Sequence, residues 1–424
     1  SYAMMHPEGA EEMTRVVRKA LDGLIAGLAM RAEIKRADIL ELTIVGNPIM
    51  HHLLLGIDPT PLGGAPFALA TDRAVRLPAA ELGLRVNAGA RVYFLPCIAG
   101  HVGADTAGVI LAETPYLSEK LQLIVDVGTN AELVLGNRDG LLAASSPTGP
   151  AFEGAQISCG QRAAPGAIER VRIDRATLEP RFKVIGSDAW SDEPGFEAAA
   201  AELGVTGICG SGIVEVVAEL FLAGVVSADG VIDGRLADRT ARVVADGRTF
   251  SYVVHAGQPR IVITQNDVRA IQLAKAALYA GARLLMDHAG VETVDEIRLA
   301  GAFGSQIDLT HAMVLGLIPD CDLDHAASAG NAAGTGALIA LLSGTARTEI
   351  ERIVRTVEKI ETAVEPRFQE HFVDAMAFPH RTAPMPNLAR VIDLPARPDA
   401  ASGADRRAAQ RRRRALVAAG KEDR

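Results

Sequence analysis

The sequence is poor in aromatic residues and in cysteine. Aromatic residues make up 4% of the 424 residues, with a single Trp, so the core is expected to consist mainly of Ala, Val, Leu and Ile. The four cysteines, Cys97, Cys159, Cys209 and Cys321, lie far apart and form no CxxC pair. This spacing argues against a local zinc ribbon or ferredoxin-type cluster, and it favours reduced, mostly buried thiols in a cytoplasmic protein.

Other absences narrow the class of protein further. The sequence has no signal peptide and no apolar run of transmembrane length, so no membrane span is predicted. It has no GxxxxGK motif followed by Ser or Thr, which excludes a Walker P-loop. The net charge of −9 argues against broad nucleic-acid binding. A length of 424 residues with 41 Gly predicts two or three globular domains with many tight turns.

The most informative segment is Leu121–Gly140, LQLIVDVGTNAELVLGNRDG. It predicts a buried strand that places the Asp126 carboxylate at its end, a turn at Gly128-Thr129-Asn130, and a second strand. Gly128 lets the backbone approach a ligand closely, while Thr129 and Asn130 add a hydroxyl and an amide beside backbone N–H groups. This combination suits a phosphate with its Mg²⁺ ion, which Asp126 would bind through water. A plain structural turn is the alternative.

A second Gly-rich turn directly follows a predicted strand at Ile297–Ala300. Backbone that approaches a flat purine or its ribose requires missing side chains, and tight packing alone is the alternative explanation. The candidate nucleoside contacts in this turn are Gly301, Ala302, Gly304 and Ser305.

Two further positions are candidates because α/β proteins bind ligands at the carboxyl ends of their strands, and a third is a candidate because it begins a helix. Gly46-Asn47 and Asp105 both follow predicted strands. Asp105 is a candidate to hold Mg²⁺ through water or to orient an attacking water, with helix capping as an equal alternative. Gly210 and Ser211 begin a predicted helix, where an anion could bind. A Rossmann-type turn is disfavoured there because no complete G-x-G-x-x-G follows a clear strand.

Hydrophobic periodicity gives the predicted elements of the chain. A helix is expected at Glu11–Met30, and two short strands are expected at Leu42–Val45 and Val92–Leu95. Three strands follow from Leu121 onward, and a later long helix begins after Thr264 as its cap.

These elements predict three regions. Residues 1–118 form a first unit, and residues 119–390 form a second unit that contains both Gly-rich turns. Residues 391–424 form a basic tail without an apolar stripe, which is predicted to be disordered. A docking arm for an acidic partner is the alternative for this tail.

Taken in order, these motifs resemble those of the acetate and sugar kinase, heat-shock ATPase and actin (ASKHA) superfamily. Within it they resemble the reductive activators of corrinoid proteins, from about residue 10 to about residue 385. The segments that carry the resemblance are TIVGNPIMHHLLLG (Thr43–Gly56), LPCIAGHVGAD (Leu95–Asp105), IVDVGTNAELVLG (Ile124–Gly136), TGPAFEGAQISCGQRAAPGAIE (Thr148–Glu169), GICGSG (Gly207–Gly212), ITQNDVRAIQLAKAA (Ile263–Ala277) and LAGAFGSQID (Leu299–Asp308).

The resemblance implies an α/β fold of two ribonuclease-H-like halves that bind ATP and Mg²⁺ in the cleft between them. IVDVGTN then corresponds to the second phosphate motif and LAGAFGS to the adenosine motif. ATP use would be coupled to electron transfer from an iron–sulfur cluster to the cobalt of a partner corrinoid protein. The partner would belong to a methyltransferase system, and its Co(II) would return to Co(I).

The chain departs from the pattern of this family in two ways. An N-terminal [2Fe–2S] ferredoxin domain and a first DxGT phosphate motif are both missing. We therefore expect a fragment with an incomplete first half, and a [2Fe–2S] cluster only in a missing N-terminal domain. Two rival functions are a small-molecule kinase of the same superfamily and a non-catalytic, nucleotide-gated docking module. The candidate assembly is a homodimer.

Overall fold

The computed structural model describes residues 2–304 and 306–395 as a mixed α/β fold. Its strands are β1 (Glu41–Ile44), β2 (Val75–Pro78), β3 (Arg91–Phe94), β4 (Gln122–Val127), β5 (Ala131–Asn137), β6 (Gly140–Ser146), β7 (Ala167–Ile173), β8 (Pro180–Val184), β9 (Gly207–Ile208), β10 (Val243–Asp246), β11 (Thr249–His255), β12 (Ile261–Thr264), β13 (Glu296–Ala300), β14 (Ala326–Gly330) and β15 (Glu358–Lys359).

The helices range from single turns to a helix of 25 residues. They are α1 (Tyr2–Met5), α2 (Gly9–Arg31), α3 (Pro48–Leu55), α4 (Ala104–Glu113), α5 (Phe196–Leu203), α6 (Gly210–Leu222), α7 (Gln265–Ala289), α8 (Gly301–Gly304), α9 (Leu309–Leu315), α10 (Ala332–Leu342), α11 (Gly344–Ile353), α12 (Pro366–Asp374) and α13 (Leu388–Val391). Among the residues described, none of the helices combines the length and the apolar character that a membrane span requires.

The largest sheet carries the predicted phosphate turn at the end of one of its inner strands. Its strand order is β14-β13-β4-β5-β6-β15, with β4 parallel to β13 and antiparallel to β5. The predicted sequence of strand, turn and strand after Leu121 is confirmed. Because β4 and β13 are parallel neighbours, the turns that follow them lie side by side at one edge of the sheet.

The first unit contains a three-stranded sheet in the order β1-β3-β2. The predicted strands β1 and β3 are confirmed, and they pair in parallel. The sequence reading missed β2, which pairs antiparallel with β3. That strand is four residues long and ends at Pro78, so it carries little periodic signal. Its addition corrects the expectation that this unit would offer two strands alone.

Both units contain a parallel pair of strands followed by a helix, and the two units contact each other through these helices. The parallel pair β1 and β3 leads into α4, as the parallel pair β13 and β14 leads into α10. Helices α4 and α10 pack closely against each other. At their crossing a Cβ on Gly336 would lie 1.9 Å from the Gly108 carbonyl oxygen. Two glycines therefore let the backbones of the two units touch directly.

Several predicted helix ends are confirmed, and one prediction needs correction. Thr264 and Asp267 form a capping box at the start of α7, and Gly290 ends that helix with a φ of 68°. Asn47 caps α3 with Pro48 in the first turn. Residues 301–304, predicted as a turn, form the single helical turn α8. Most of the predicted basic tail, residues 396–424, lies outside the described residues.

Candidate functional site

Asp126 is partly buried near the end of β4, beside the end of β13. It lies opposite Ala300 in the parallel pair and opposite Glu132 in the antiparallel pair. Burial raises the pKa of its carboxyl to about 6, with a further contribution from the nearby Asp105 carboxylate. A bound cation would remove this cost and hold Asp126 in its ionised form.

Gly301, the first residue after β13, lies directly against Asp126. Its φ is 92°, and a Cβ built on it would lie 2.5 Å from Asp126 Oδ1. Both the backbone conformation and the space therefore require glycine at this position. The two Gly-rich turns that were separate in the sequence meet here, at a carboxylate.

The turn between β4 and β5 is held by hydrogen bonds from its neighbours. The Gly128 N–H donates to the Asn130 carbonyl at 3.0 Å. The Thr148 hydroxyl lies 3.0 Å from the Gly128 and Thr129 carbonyl oxygens. The Thr129 hydroxyl donates to Glu153 Oε1 at 2.6 Å. The Thr129 and Asn130 side chains are exposed, and their predicted contact with phosphate stays a prediction.

The first unit contributes a second wall of the candidate site. The Gly46 carbonyl accepts from the backbone N–H groups of Ala104 at 3.1 Å and Asp105 at 3.3 Å, where α4 begins. A Cβ on Gly103 would lie 2.7 Å from both the Gly46 carbonyl oxygen and Asp105 Oδ1. The Asn47 side chain caps α3 by accepting from the Met50 N–H at 2.9 Å. Gly46, Asn47 and Asp105 are thus brought together.

Glu132 on β5 is a candidate site residue that the sequence reading missed. Burial raises the pKa of its carboxyl to about 8, and Asp105 and then Asp126 add to this effect. Burial also raises the pKa of Asp105. Glu132 alternates with the apolar residues of β5, and its pairing opposite Asp126 follows from a hairpin with a short turn. That register is the signal that could have identified it.

The three carboxylates Asp105, Asp126 and Glu132 fit a hydrated divalent cation. Burial raises the pKa of all three, with no contribution from a Lys or Arg among the described residues, and the Asp105 charge further raises the pKa of Asp126 and of Glu132. Their oxygens are too far apart for all three to bind one ion directly. Mg²⁺ usually keeps several of its waters, and water-mediated contacts suit such a spacing.

A cavity of about 490 Å³ has Glu153, the hydrogen-bond partner of Thr129, in its wall. Its walls include Phe152, Glu153, Gly210, Ser211, Phe303 and Gln306. The rings of Phe152 and Phe303 are stacked, with centroids 6.1 Å apart and an angle of 15°. A Cβ on Gly210 would lie 2.2 Å from the Phe303 ring. The size of the cavity and its flat apolar wall suit a nucleoside.

The predicted site residues therefore fall into two groups joined by Glu153. The carboxylate group contains Asp105, Asp126, the turn 128–130, Gly46-Asn47 and Gly301, while Gly210 and Ser211 lie at the cavity. The Ser211 hydroxyl donates to the Glu169 carbonyl at 3.2 Å. Gly304 is buried at the end of α8, Ser305 lies outside the described residues, and the side chain of Ala302 is likewise not described.

The cysteines do not fit an iron–sulfur cluster in this part of the chain. All four are unpaired thiols, and within the described ranges none belongs to a group of three or more side chains that could hold a metal. Cys97, Cys209 and Cys321 are buried.

The fold and the paired Gly-rich turns define a domain of the ASKHA class. The chain belongs to the RACo family, because its residues 120–389 match the model described as "C-terminal domain of RACo the ASKHA domain". Residues 1–116 match the model described as "RACo middle region". The predicted family and the ASKHA fold class are confirmed.

Similar proteins are named as corrinoid activators. The chain is 35% identical over 384 residues to "Corrinoid activation enzyme RamQ" of Eubacterium limosum, covering 88% of this chain and 62% of that protein. It is 26% identical over 327 residues to "[Co(II) methylated amine-specific corrinoid protein] reductase" of Methanosarcina barkeri, covering 72% and 56%.

A solved structure is also similar. This is a "Reductive activator for corrinoid,iron-sulfur protein", with a TM-score of 0.78 and 32% identity, covering 89% of this chain and 59% of that chain. The chain thus spans about three fifths of the length of the relatives it matches.

Proposed function

We propose that this chain is the ATP-binding and ATP-hydrolysing part of a reductive activator of corrinoid proteins. The observation that carries the proposal is the contact between Asp126 and Gly301, which joins a carboxylate turn to a Gly-rich turn beside a nucleoside-sized cavity. The family membership and the names of the similar proteins support a corrinoid protein as the partner.

The proposed roles of the residues follow from the two groups. Asp126, Asp105 and Glu132 would hold a hydrated Mg²⁺, which offsets the negative charge of the phosphates. The turn at Gly128, Thr129 and Asn130 would bind the phosphates, and the cavity beside Phe303 would bind the nucleoside. Because Asp105 comes from the first unit and Asp126 from the second, bound ATP would draw the two units together.

The energy of ATP would serve a one-electron reduction of the partner's cobalt from Co(II) to Co(I). The electron would come from an iron–sulfur donor outside the described residues, since the cysteines described here do not cluster. We further propose a cytoplasmic protein, supported by its four free thiols, whose partner serves a methyltransferase system. We also propose that the protein forms a homodimer, which sedimentation velocity tests.

Calorimetry of ATP·Mg²⁺ binding, together with measured phosphate release, tests the proposal. The wild type should bind and hydrolyse ATP, and the Asp126→Asn variant should remain folded but lose hydrolysis. Addition of the corrinoid protein should change the rate of hydrolysis. Tight binding without hydrolysis would favour a docking module, whereas ADP release that requires a small-molecule acceptor would favour a kinase.

A further inference from the structure

A buried network of charged side chains joins three elements that also form the walls of the nucleoside cavity. These elements are β7, α6 and the segment that enters α9, and they contribute Glu169, Ser211 and Gln306 respectively to the cavity. The network lies deeper in the protein, and His311 on α9 is at its centre, with only 5% of its surface exposed.

Both nitrogens of the His311 ring face carboxylate oxygens. Nδ1 lies 2.8 Å from Asp308 Oδ1, and Nε2 lies 2.9 Å from Glu219 Oε1. A neutral imidazole can donate from one nitrogen only, so one of these contacts would then set a lone pair against a carboxylate. With both carboxyls ionised, the geometry therefore requires an imidazolium that donates to both residues.

The charges of the side chains that contact one another in this network also favour a cationic His311. Glu215, which is fully buried, accepts from Arg170 Nη1 and Arg172 Nη1, both at 2.6 Å. Glu219 also accepts from the Ile173 N–H at 3.0 Å, and Arg172 Nε lies 3.9 Å from its other oxygen. Three carboxylates, of Glu215, Glu219 and Asp308, thus face two guanidinium groups and one imidazole.

A metal ion is a weaker explanation for the same residues. Glu215, Asp308 and His311 lie close enough together to hold one. However, both oxygens of Glu215 already accept hydrogen bonds from guanidinium groups, and both ring nitrogens of His311 contact carboxylates. A divalent ion would have to displace these bonds and lie beside two positively charged arginines.

We propose that His311 is a positioning residue for nucleotide binding, which holds Asp308 against α6 and so fixes the walls of the nucleoside cavity. Asp308 follows Gln306 of the cavity by two residues, and Glu219 lies on the same helix as Gly210 and Ser211. The Asp308 side chain also accepts from the His311 N–H at 3.0 Å, so the contact orders the start of α9. This proposal rests on the proposed binding of ATP.

The charge of His311 can be measured without any nucleotide. Burial alone would lower the pKa of this imidazole, but its hydrogen bonds to Asp308 and Glu219 raise the pKa to about 9. The charged groups that face it are Asp308, Glu219 and Glu215, with Arg172 and Arg170 beyond them. Long-range ¹H–¹⁵N NMR of the ¹⁵N-histidine-labelled chain should show a doubly protonated ring at pH 7, with the signal assigned by its loss in His311→Gln.

ATP·Mg²⁺ affinity then tests the positioning role. His311→Gln should weaken binding about tenfold, as expected when a hydrogen bond to a charged group is lost. The double variant His311→Gln with Glu219→Gln restores the charge balance and should recover most of that affinity. His288→Gln, at a partly exposed histidine that pairs with Glu365, should bind like the wild type.

Four outcomes would overturn the proposal, and they differ from one another. A neutral ring at pH 7 would contradict the assignment of an imidazolium. A ring that binds a metal ion, as shown by a change in its signal when a chelator is added, would contradict it as well. A folded His311→Gln variant with unchanged affinity would overturn the positioning role. A wild type that binds no ATP would overturn the proposed function, and the positioning role with it, whatever the charge of His311. If His311→Gln does not fold, the ATP·Mg²⁺ affinity of the double variant is compared with that of the wild type instead.

Discussion

At the scale of single residues, one acidic side chain and one glycine determine what the candidate site can hold. Asp126 lies at the end of β4, and Gly301 follows β13 immediately beside it. Burial and the nearby Asp105 raise the pKa of the Asp126 carboxyl, and a bound cation would stabilise its ionised form. The glycine leaves its oxygen accessible from the side that a Cβ would otherwise cover.

A Gly301→Ala substitution should therefore disable the site. The added Cβ would lie 2.5 Å from Asp126 Oδ1, at a φ of 92°. We expect a stability loss of about 1–3 kcal/mol from backbone strain, together with loss of most ATP·Mg²⁺ affinity. Gly290→Ala is the matched control, because its φ is 68° and its Cβ would meet open space. Equal ATP affinities in the two variants, measured by calorimetry, would contradict the role of Gly301.

Glu132→Gln should stabilise the protein in the absence of Mg²⁺. The pKa of Glu132 is raised to about 8, above its ordinary value, so its ionisation increasingly opposes folding as the pH rises from about 4.5 to 8. The amide removes this opposition, and we expect a gain of about 1–2 kcal/mol at pH 8 by denaturant unfolding, and no gain at pH 4.

Added Mg²⁺ should reduce the advantage of Glu132→Gln, since the ion neutralises the same cluster in the wild type. The control is Glu81→Gln, at an exposed glutamate of the first unit, which should change stability at neither pH. A gain at pH 8 that Mg²⁺ leaves unchanged would indicate that Glu132 is not part of a cation site.

At the scale of helices and strands, the contact between α4 and α10 joins the two units. It depends on two glycines, because the Gly336 position faces the Gly108 carbonyl and a Cβ on Gly108 would lie 2.9 Å from the Ala333 carbonyl oxygen. Backbones that approach so closely leave no room for side chains. Packing between the helices therefore explains Gly108 of α4 and Gly336 of α10.

Gly336→Ala should push these helices apart. Its Cβ would lie 1.9 Å from a backbone oxygen, and overpacking of this kind costs about 1–3 kcal/mol. Gly344→Ala, in the first turn of α11 with open space around its Cβ, is the control and should be neutral or slightly stabilising. Denaturant unfolding measures both variants, and equal midpoints would show that the crossing can relax.

Sequence reading predicted elements with strong local signals and missed those that depend on distant residues. The hairpin after Leu121 and the cap at Thr264 are local, and both are confirmed. β2 is too short and too close to Pro78 to show a period. Burial raises the pKa of Glu132 most, followed by Asp105 through the packing of two units and by Asp126 through strand register, and no local pattern encodes these effects.

The cavity is the part of the candidate site that the sequence predicts least. Its stacked rings, Phe152 and Phe303, come from segments separated by about 150 residues, and only the fold brings them together. The charged network around His311 has the same origin, because its partners come from β7, α6 and α9. The motifs predicted where glycines would be needed, but not which side chains would face them.

At the scale of the whole molecule, the site is divided unequally between the units. The second unit supplies the cavity, the turn after β4 and Asp126. The first unit supplies Asp105 at the start of α4, backed by the Gly46 carbonyl. A ligand that fills only the cavity should therefore make no contact with the first unit, whereas a ligand with phosphates and Mg²⁺ should bridge both units.

Asp105→Asn should thus separate the binding of adenosine from the binding of ATP. Adenosine affinity should stay within about twofold of the wild type, while ATP·Mg²⁺ affinity should fall about tenfold with the loss of one charged contact to the hydrated ion. The rise in melting temperature on adding ATP·Mg²⁺ should shrink in parallel, because less binding energy then favours the closed arrangement. Asp139→Asn, in the exposed turn between β5 and β6, is the matched control and should behave as wild type for both ligands. If Asp105→Asn weakens adenosine as much as ATP·Mg²⁺, then Asp105 acts through the fold of the first unit, and the two units do not share the nucleotide.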